Sequence, residues 1–223
     1  MSDGAEAFEE LRRAALNCVA CDLAGTRANV VFGVGDRGAR LMLVGEAPGK
    51  NEDLQGEPFV GAAGRLLDEL LAEVGIAREE VYIANVLKCR PPGNRDPRPA
   101  EIDACRGYLR EQIRLIAPEV VMTLGAFASR LLLGVETGVT RLRGRRYDWW
   151  LGAALVPTFH PSAALRGGER VKAQIREDLA LVSEILASPK EAPSPPAGGS
   201  AEGRPTEGGL AEEGAPRQES LFE

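Results

Sequence analysis

Four short apolar runs, Leu41–Val44, Val81–Leu87, Val120–Leu124 and Ala153–Val156, recur along this chain with a helical pattern between each pair. Runs of that length suit buried strands, and strands that alternate with helices build a largely parallel sheet covered on both faces. Leu66, Leu67, Leu70, Leu71 and Val74 form the apolar stripe of one helix, which Gly75 stops. Ala100–Ile116 and Ala126–Leu133 supply two more, residues 5–16 lead in, and a last helix is expected from about Glu169 to Leu186. Residues 137–150 read as a basic hairpin or loop.

Polar and glycine-rich segments follow three of the strands. Gly45–Gly64 holds five glycines, two prolines, four carboxylates and Phe59, with almost nothing to bury. Loops of that length without a core of their own are usually functional. Asn85–Cys89 closes the second strand, and His160–Arg166 follows the fourth. In parallel sheets, ligands bind outside the carboxyl ends of the strands, so these three loops are expected to converge on one pocket.

Composition narrows the function. No run of 18 apolar residues spans a membrane, and the acidic N-terminus lacks the pattern of a secretory signal, which predicts a cytoplasmic protein. There, four cysteines read as metal ligands before disulfides. The formal charge of −6 is uneven: residues 188–223 hold −4 of it, leaving a near-neutral body. Its cations cluster as Lys88, Arg90, Arg95 and Arg98, then Arg141, Arg143, Arg145 and Arg146, then Arg166, Arg170 and Lys172. Separate basic loops can follow a phosphate backbone.

The cysteines form a CxxC pair, Cys18 and Cys21, and a spaced pair, Cys89 and Cys105. Four thiolates hold either a [4Fe–4S] cluster or a tetrahedral zinc, and spacing alone leaves both open, although a zinc ribbon normally carries a second CxxC. Gly45–Lys50, GEAPGK, is one residue short of a phosphate-binding loop and has Asn51 where Ser or Thr binds magnesium, which argues against a nucleotidase. His160 is the only histidine and shares the expected crevice with Glu46 and Asn85. The Asn85 amide can read a polar ring edge-on, and Phe59 can offer its face to a base.

Taken together, GEAPG, GEPFVGAAGRLL, NVLKCRPPGNR, HPSAALR and the four cysteines resemble the iron–sulfur, family 4 uracil-DNA glycosylases over about residues 10–187. The resemblance implies an α/β fold, a three-layer α/β/α sandwich around a four-stranded, mostly parallel sheet. It also implies hydrolysis of the N-glycosidic bond of uracil in single- or double-stranded DNA, with Cys18, Cys21, Cys89 and Cys105 holding a structural [4Fe–4S] cluster. The extruded uracil would stack on Phe59, meet the Asn85 amide and the backbone of Gly45, Glu46 and Ala47, and have His160 near its O2. Glu46 and His160 would be the catalytic pair. Leu165 or Arg166 would be the wedge that fills the vacated base stack.

Better-known uracil glycosylases carry GQDPYH, whose aspartate positions water; here that place is Ala47, and the carboxylate is one residue earlier at Glu46. Gly49 stands where a tyrosine excludes the methyl group of thymine, leaving Glu52 as the candidate for that task. A covalent, histidine-trapping relative has a histidine in the loop before the fourth cysteine; this chain has none there, so turnover is expected. Competing readings are a glycosylase for other deaminated bases such as hypoxanthine, and a non-catalytic iron–sulfur DNA-binding module.

The domain is expected to end at residue 187. Residues 188–223 contain six prolines, six glycines and seven glutamates, a composition expected to stay disordered. They finish in Gln218-Glu-Ser-Leu221-Phe222, which resembles the bacterial peptide that binds the polymerase sliding clamp. A monomer is expected.

Overall fold

The structure, a computed structural model, describes residues 2–188. The clamp-like residues Gln218, Leu221 and Phe222 lie outside that range. The apolar runs become the parallel strands β2 (Leu41–Gly45), β3 (Val81–Asn85), β4 (Val120–Leu124) and β6 (Ala154–Thr158). Two further strands, β1 (Val34–Gly35) and β5 (Tyr147–Asp148), pair antiparallel at the edges, so the order is β1-β3-β2-β4-β6-β5. The sheet therefore has six strands where the sequence led us to expect four. Each edge strand is two residues long and half out of the core, too short to leave an apolar run or an alternation.

Side chains of successive strand residues point to opposite faces. Met42 and Val44 join Phe8, Leu109, Ile113 and Leu132 in one core, which receives α1 (Ser2–Leu16), α4 (Pro99–Ile116) and α5 (Ala126–Leu133). Leu41 and Leu43 join Leu67, Leu70, Leu71, Ile175 and Leu179 in the other, under α3 (Ala62–Glu73) and α7 (Pro161–Ala187). Full burial of each such leucine stabilises by about 1.5–3 kcal/mol.

Three elements differ from expectation. A short helix, α2 (Lys50–Gln55), interrupts the long loop after β2, anchored by buried Asp53, whose Oδ1 accepts from the amide of Ala28 at 2.9 Å. The expected 137–150 loop contains α6 (Val139–Leu142) and β5. The last helix begins at Pro161, eight residues before Glu169, because His160 caps it and Pro161 fits its first turn; Gly168 (φ 64°, ψ −154°) breaks it in between.

Strand β2 is flanked by β3 on one side and by β4 on the other, so the chain reverses direction across the sheet at β2. The crevice beyond the carboxyl ends at such a reversal is the ordinary ligand site of a parallel sheet. The β2–β3 register ends with Gly45 opposite Asn85, and the β4–β6 register with Leu124 opposite Thr158. Glu46, Asn85, Gly125 and His160 are thereby delivered to one rim. Among the described residues no helix is long and apolar enough to cross a membrane.

Candidate active site and cysteine cage

A cleft of about 570 Å³ opens at that rim, lined among others by Glu46, Ala47, Phe59, Asn85 and His160. All the base-contacting candidates from the sequence thus fall together, except that Gly45 lies just beneath, as the last residue of β2. The chain stays stitched beyond the sheet: the amides of Val86 and Leu87 donate to the carbonyls of Gly45 and Glu46 at 2.9 and 3.0 Å.

His160 owes its state to the start of α7. Its Nδ1 accepts from the backbone amide of Ser162 at 3.1 Å and lies 2.8 Å from the Ser162 hydroxyl. A backbone N–H can only donate, so Nδ1 carries the lone pair and the proton of the neutral ring sits on Nε2. Burial pushes its pKa down to about 4, with the Arg166 charge adding to the effect. The imidazole is therefore neutral at physiological pH.

Phe59 stacks on His160 with ring centroids 5.5 Å apart. It holds a left-handed backbone (φ 54°), unusual for a bulky residue and a sign of imposed geometry. Two glycines make room for it. A Cβ on Gly64 would lie 1.7 Å from the Phe59 carbonyl oxygen, and one on Gly45 would lie 2.3 Å from Asn85 Oδ1 and 2.9 Å from the Phe59 ring. Asn85 is only 2% exposed, yet its side-chain amide has no hydrogen-bond partner among the described residues. Asn85 lines the cleft, so its amide is open to a ligand there.

Glu46 is half-buried, and burial, then the nearby Asp96 carboxylate, raises its pKa; Arg130 opposes the shift. Asp96 and Arg130 both line the cleft and were missed in the sequence, since each is a single charged residue outside any motif. Ala47 brings only a methyl group to the position of the missing aspartate. Glu52 Oε1 accepts from the amides of Val60 and Gly61, both at 3.1 Å, and its Oε2 lies 2.7 Å from where a Gly49 Cβ would stand. Gly49 thus admits the Glu52 carboxylate to the cleft wall.

The four cysteines gather elsewhere. Cys18 and Cys21 are half-buried, Cys89 and Cys105 buried, and all four line one small cavity with Arg27 and Tyr108. Arg27 Nη1 donates to Cys89 Sγ at 3.3 Å while its Nη2 holds the carbonyl of Cys18 at 2.7 Å. The amide of Lys88 donates to Cys105 Sγ at 3.2 Å. Burial raises the Cys89 thiol and pushes Cys105 up to about 11, so a bound cationic group is needed to hold them as thiolates. No three His, Cys, Asp or Glu side chains among the described residues are gathered to hold a single metal ion.

The basic clusters read from the sequence do not all survive folding. Lys88 is fully buried. Arg95 is paired with Glu101 at 2.9 Å, and Arg143 with Asp178 and Glu177, also at 2.9 Å. Charge runs in a sequence do not disclose the carboxylates that will face them. Arg98, Arg141, Arg145, Arg146, Arg166 and Arg170 remain exposed. Leu165, 50% exposed, and Arg166 sit side by side on the first turns of α7, whose cap His160 and residue Ser162 line the cleft.

Residues 32–180 of the chain match a family model described as the uracil DNA glycosylase superfamily. The type-4 uracil-DNA glycosylase of Archaeoglobus fulgidus is 44% identical over 180 residues, covering 78% of this chain and 88% of that protein. That of Thermotoga maritima is 46% identical over 183 residues, covering 81% and 95%. The chain belongs to the uracil-DNA glycosylase superfamily. Within it, the chain is a member of the type-4 uracil-DNA glycosylases.

Proposed function

We propose that this protein flips uracil out of DNA and hydrolyses its N-glycosidic bond, the first step of base excision repair, with the chemistry divided among the residues of the cleft. The observation that carries the assignment is an Asn85 amide with no hydrogen-bond partner among the described residues, lining the same cleft as a neutral imidazole whose free N–H is on Nε2. The amide reads the donor and acceptor edge of the base. Phe59 supplies the stacking surface, and the Gly45–Ala47 backbone lies against the ring.

As the bond breaks, the sugar moves toward a cation and the base toward an anion. A neutral imidazole donating from Nε2 stabilises charge growing on uracil O2, an interaction stronger in the transition state than in the ground state. Glu46 is the carboxylate of the sugar side, within reach of the attacking water or the cationic ring. Glu52, braced by two amides, walls off the position of a thymine methyl group. Flipping costs a few kcal/mol and is offset by the pocket, by the wedge at Leu165 or Arg166, and by phosphate contacts to exposed arginines. Excision from U·G, U·A and single-stranded substrates, with no release from T·G or hypoxanthine duplexes, is the test; release of none of these bases would refute the assignment.

The residues of the cavity fit a [4Fe–4S] cluster held by Cys18, Cys21, Cys89 and Cys105. Four thiols face one space, and two N–H···S bonds are already aimed at the sulfurs. When bound, such a cluster supplies a structural cross-link between the CxxC loop, the segment that follows β3, and α4. The purified protein is expected to be brown, with broad absorbance at about 400 nm that Cys89→Ser removes. Colourless protein with one zinc per chain would refute the cluster.

Residues 1–187 form the catalytic unit in this reading, and residues 188–223 a tether ending in a clamp-binding peptide at Gln218, Leu221 and Phe222. Support comes from composition and motif. Deleting residues 214–223 is expected to abolish capture by the sliding clamp and leave excision on short oligonucleotides unchanged. Clamp capture by the truncated protein would count against the tether.

A further inference from the structure

Lys88 is the only cation among the buried side chains of the described residues. Taking an ammonium out of water costs several kcal/mol, and a methionine fills the same space without that cost. No carboxylate among the described residues pairs with it; the groups that favour its charge are Cys105 and Cys89. Its Nζ donates instead to the carbonyl of Asn85 at 2.8 Å and to Gln112 Oε1 at 2.6 Å. Gln112, on α4, spends its Nε2 on the Phe32 carbonyl at 2.9 Å and the Tyr82 hydroxyl at 3.0 Å, which turns its oxygen toward Lys88.

The position of Lys88 along the chain explains what this arrangement holds. Asn85 is the last residue of β3, and beyond it the amides of Val86 and Leu87 turn to the Gly45–Glu46 loop. Lys88 itself is fixed at both backbone groups: its amide on Cys105 Sγ, and its carbonyl accepting from Val31 at 2.8 Å. One lysine therefore runs from the cysteine cage to the peptide that carries the Asn85 side chain.

We propose that Lys88 is a positioning residue for base recognition: its buried ammonium fixes the Asn85 peptide against α4 and so aims the Asn85 amide into the cleft. The inference rests on the reading of Asn85 as the base-reading residue. A reading group displaced by about 1 Å loses on the order of 10²-fold in rate. Full-length, cluster-bearing Lys88→Met, which keeps volume and loses the donor, is expected to excise uracil about 30–100-fold more slowly in single turnover. Inhibition by free uracil should weaken in parallel, while affinity for abasic-site DNA and the cluster absorbance stay at wild-type values. Lys88→Gln, which restores a shorter donor, should fall between the two.

A wild-type rate in folded Lys88→Met overturns the proposal, as does a loss that tracks DNA affinity or cluster content instead of uracil inhibition. Should Lys88→Met not fold, Lys88→Gln decides alone: a reduced rate with DNA affinity kept supports the proposal, and a wild-type rate overturns it. Asn85→Ala in the same series separates the two claims. An active Asn85→Ala removes the premise, whereas an inactive Asn85→Ala beside a fully active Lys88→Met removes only the role of Lys88.

Discussion

Replacing Asn85 with alanine is expected to abolish detectable uracil excision while DNA binding persists. The side chain sits at 2% exposure with its amide free of protein partners among the described residues, so alanine breaks no bond that holds the fold. What it removes is the pair of hydrogen bonds that a uracil edge would complete. Bonds to a partner gaining charge contribute about 1.5–3 kcal/mol each, so two of them represent roughly 10²–10⁴-fold in rate. Single-turnover excision measured beside fluorescence anisotropy on the same oligonucleotide separates chemistry from binding. Excision within threefold of wild type would remove Asn85 from the mechanism.

The second large effect is expected at His160. Its alanine variant should slow the chemical step by about 10²–10³-fold, the loss typical of one donor aimed at a developing oxyanion, with little change in the affinity for DNA. The pH dependence follows from the sign of the shift. The pKa lies below the ordinary histidine value, at about 4, so the ring gains a proton only as pH falls toward that value. Between pH 6 and 8 the wild-type rate should show no inflection that belongs to His160. An inflection near pH 6.5 that disappears in His160→Asn would contradict a neutral donor. The Ser162 amide is the physical guard of this state, because a proton on Nδ1 would collide with an N–H already pointed at it.

In the proposed mechanism both residues act on the departing base, from different elements of the fold. Asn85 ends strand β3, whereas His160 is a helix cap whose tautomer is locked by local chain geometry. Neither depends on Ala47, where the better-known relatives place their aspartate. In the proposed mechanism, the absence of that carboxylate puts more weight on leaving-group stabilisation and assigns Glu46 to the sugar side. Burial, and then Asp96, raise its pKa from the ordinary carboxylate value.

Much of this protein was fixed before folding is considered. Apolar runs at strand length with helical stripes between them determined the parallel α/β core, because hydrophobic periodicity is a property of the chain itself. The same holds for the rim: a segment that leaves the carboxyl end of a parallel strand reaches the binding edge whatever its residues, so Glu46, Asn85 and His160 had one meeting place. Tertiary structure decided everything that depends on which groups face each other across long sequence separation. Only there does Lys88 turn inward onto Asn85 and Gln112, Arg143 vanish into Asp178, Arg27 reach Cys89, and Asp96 and Arg130 enter the cleft. Two-residue edge strands likewise exist only because a neighbour offers them a ladder. Polar partnerships are settled by distance in the folded state, and distance has no periodic signature in a sequence.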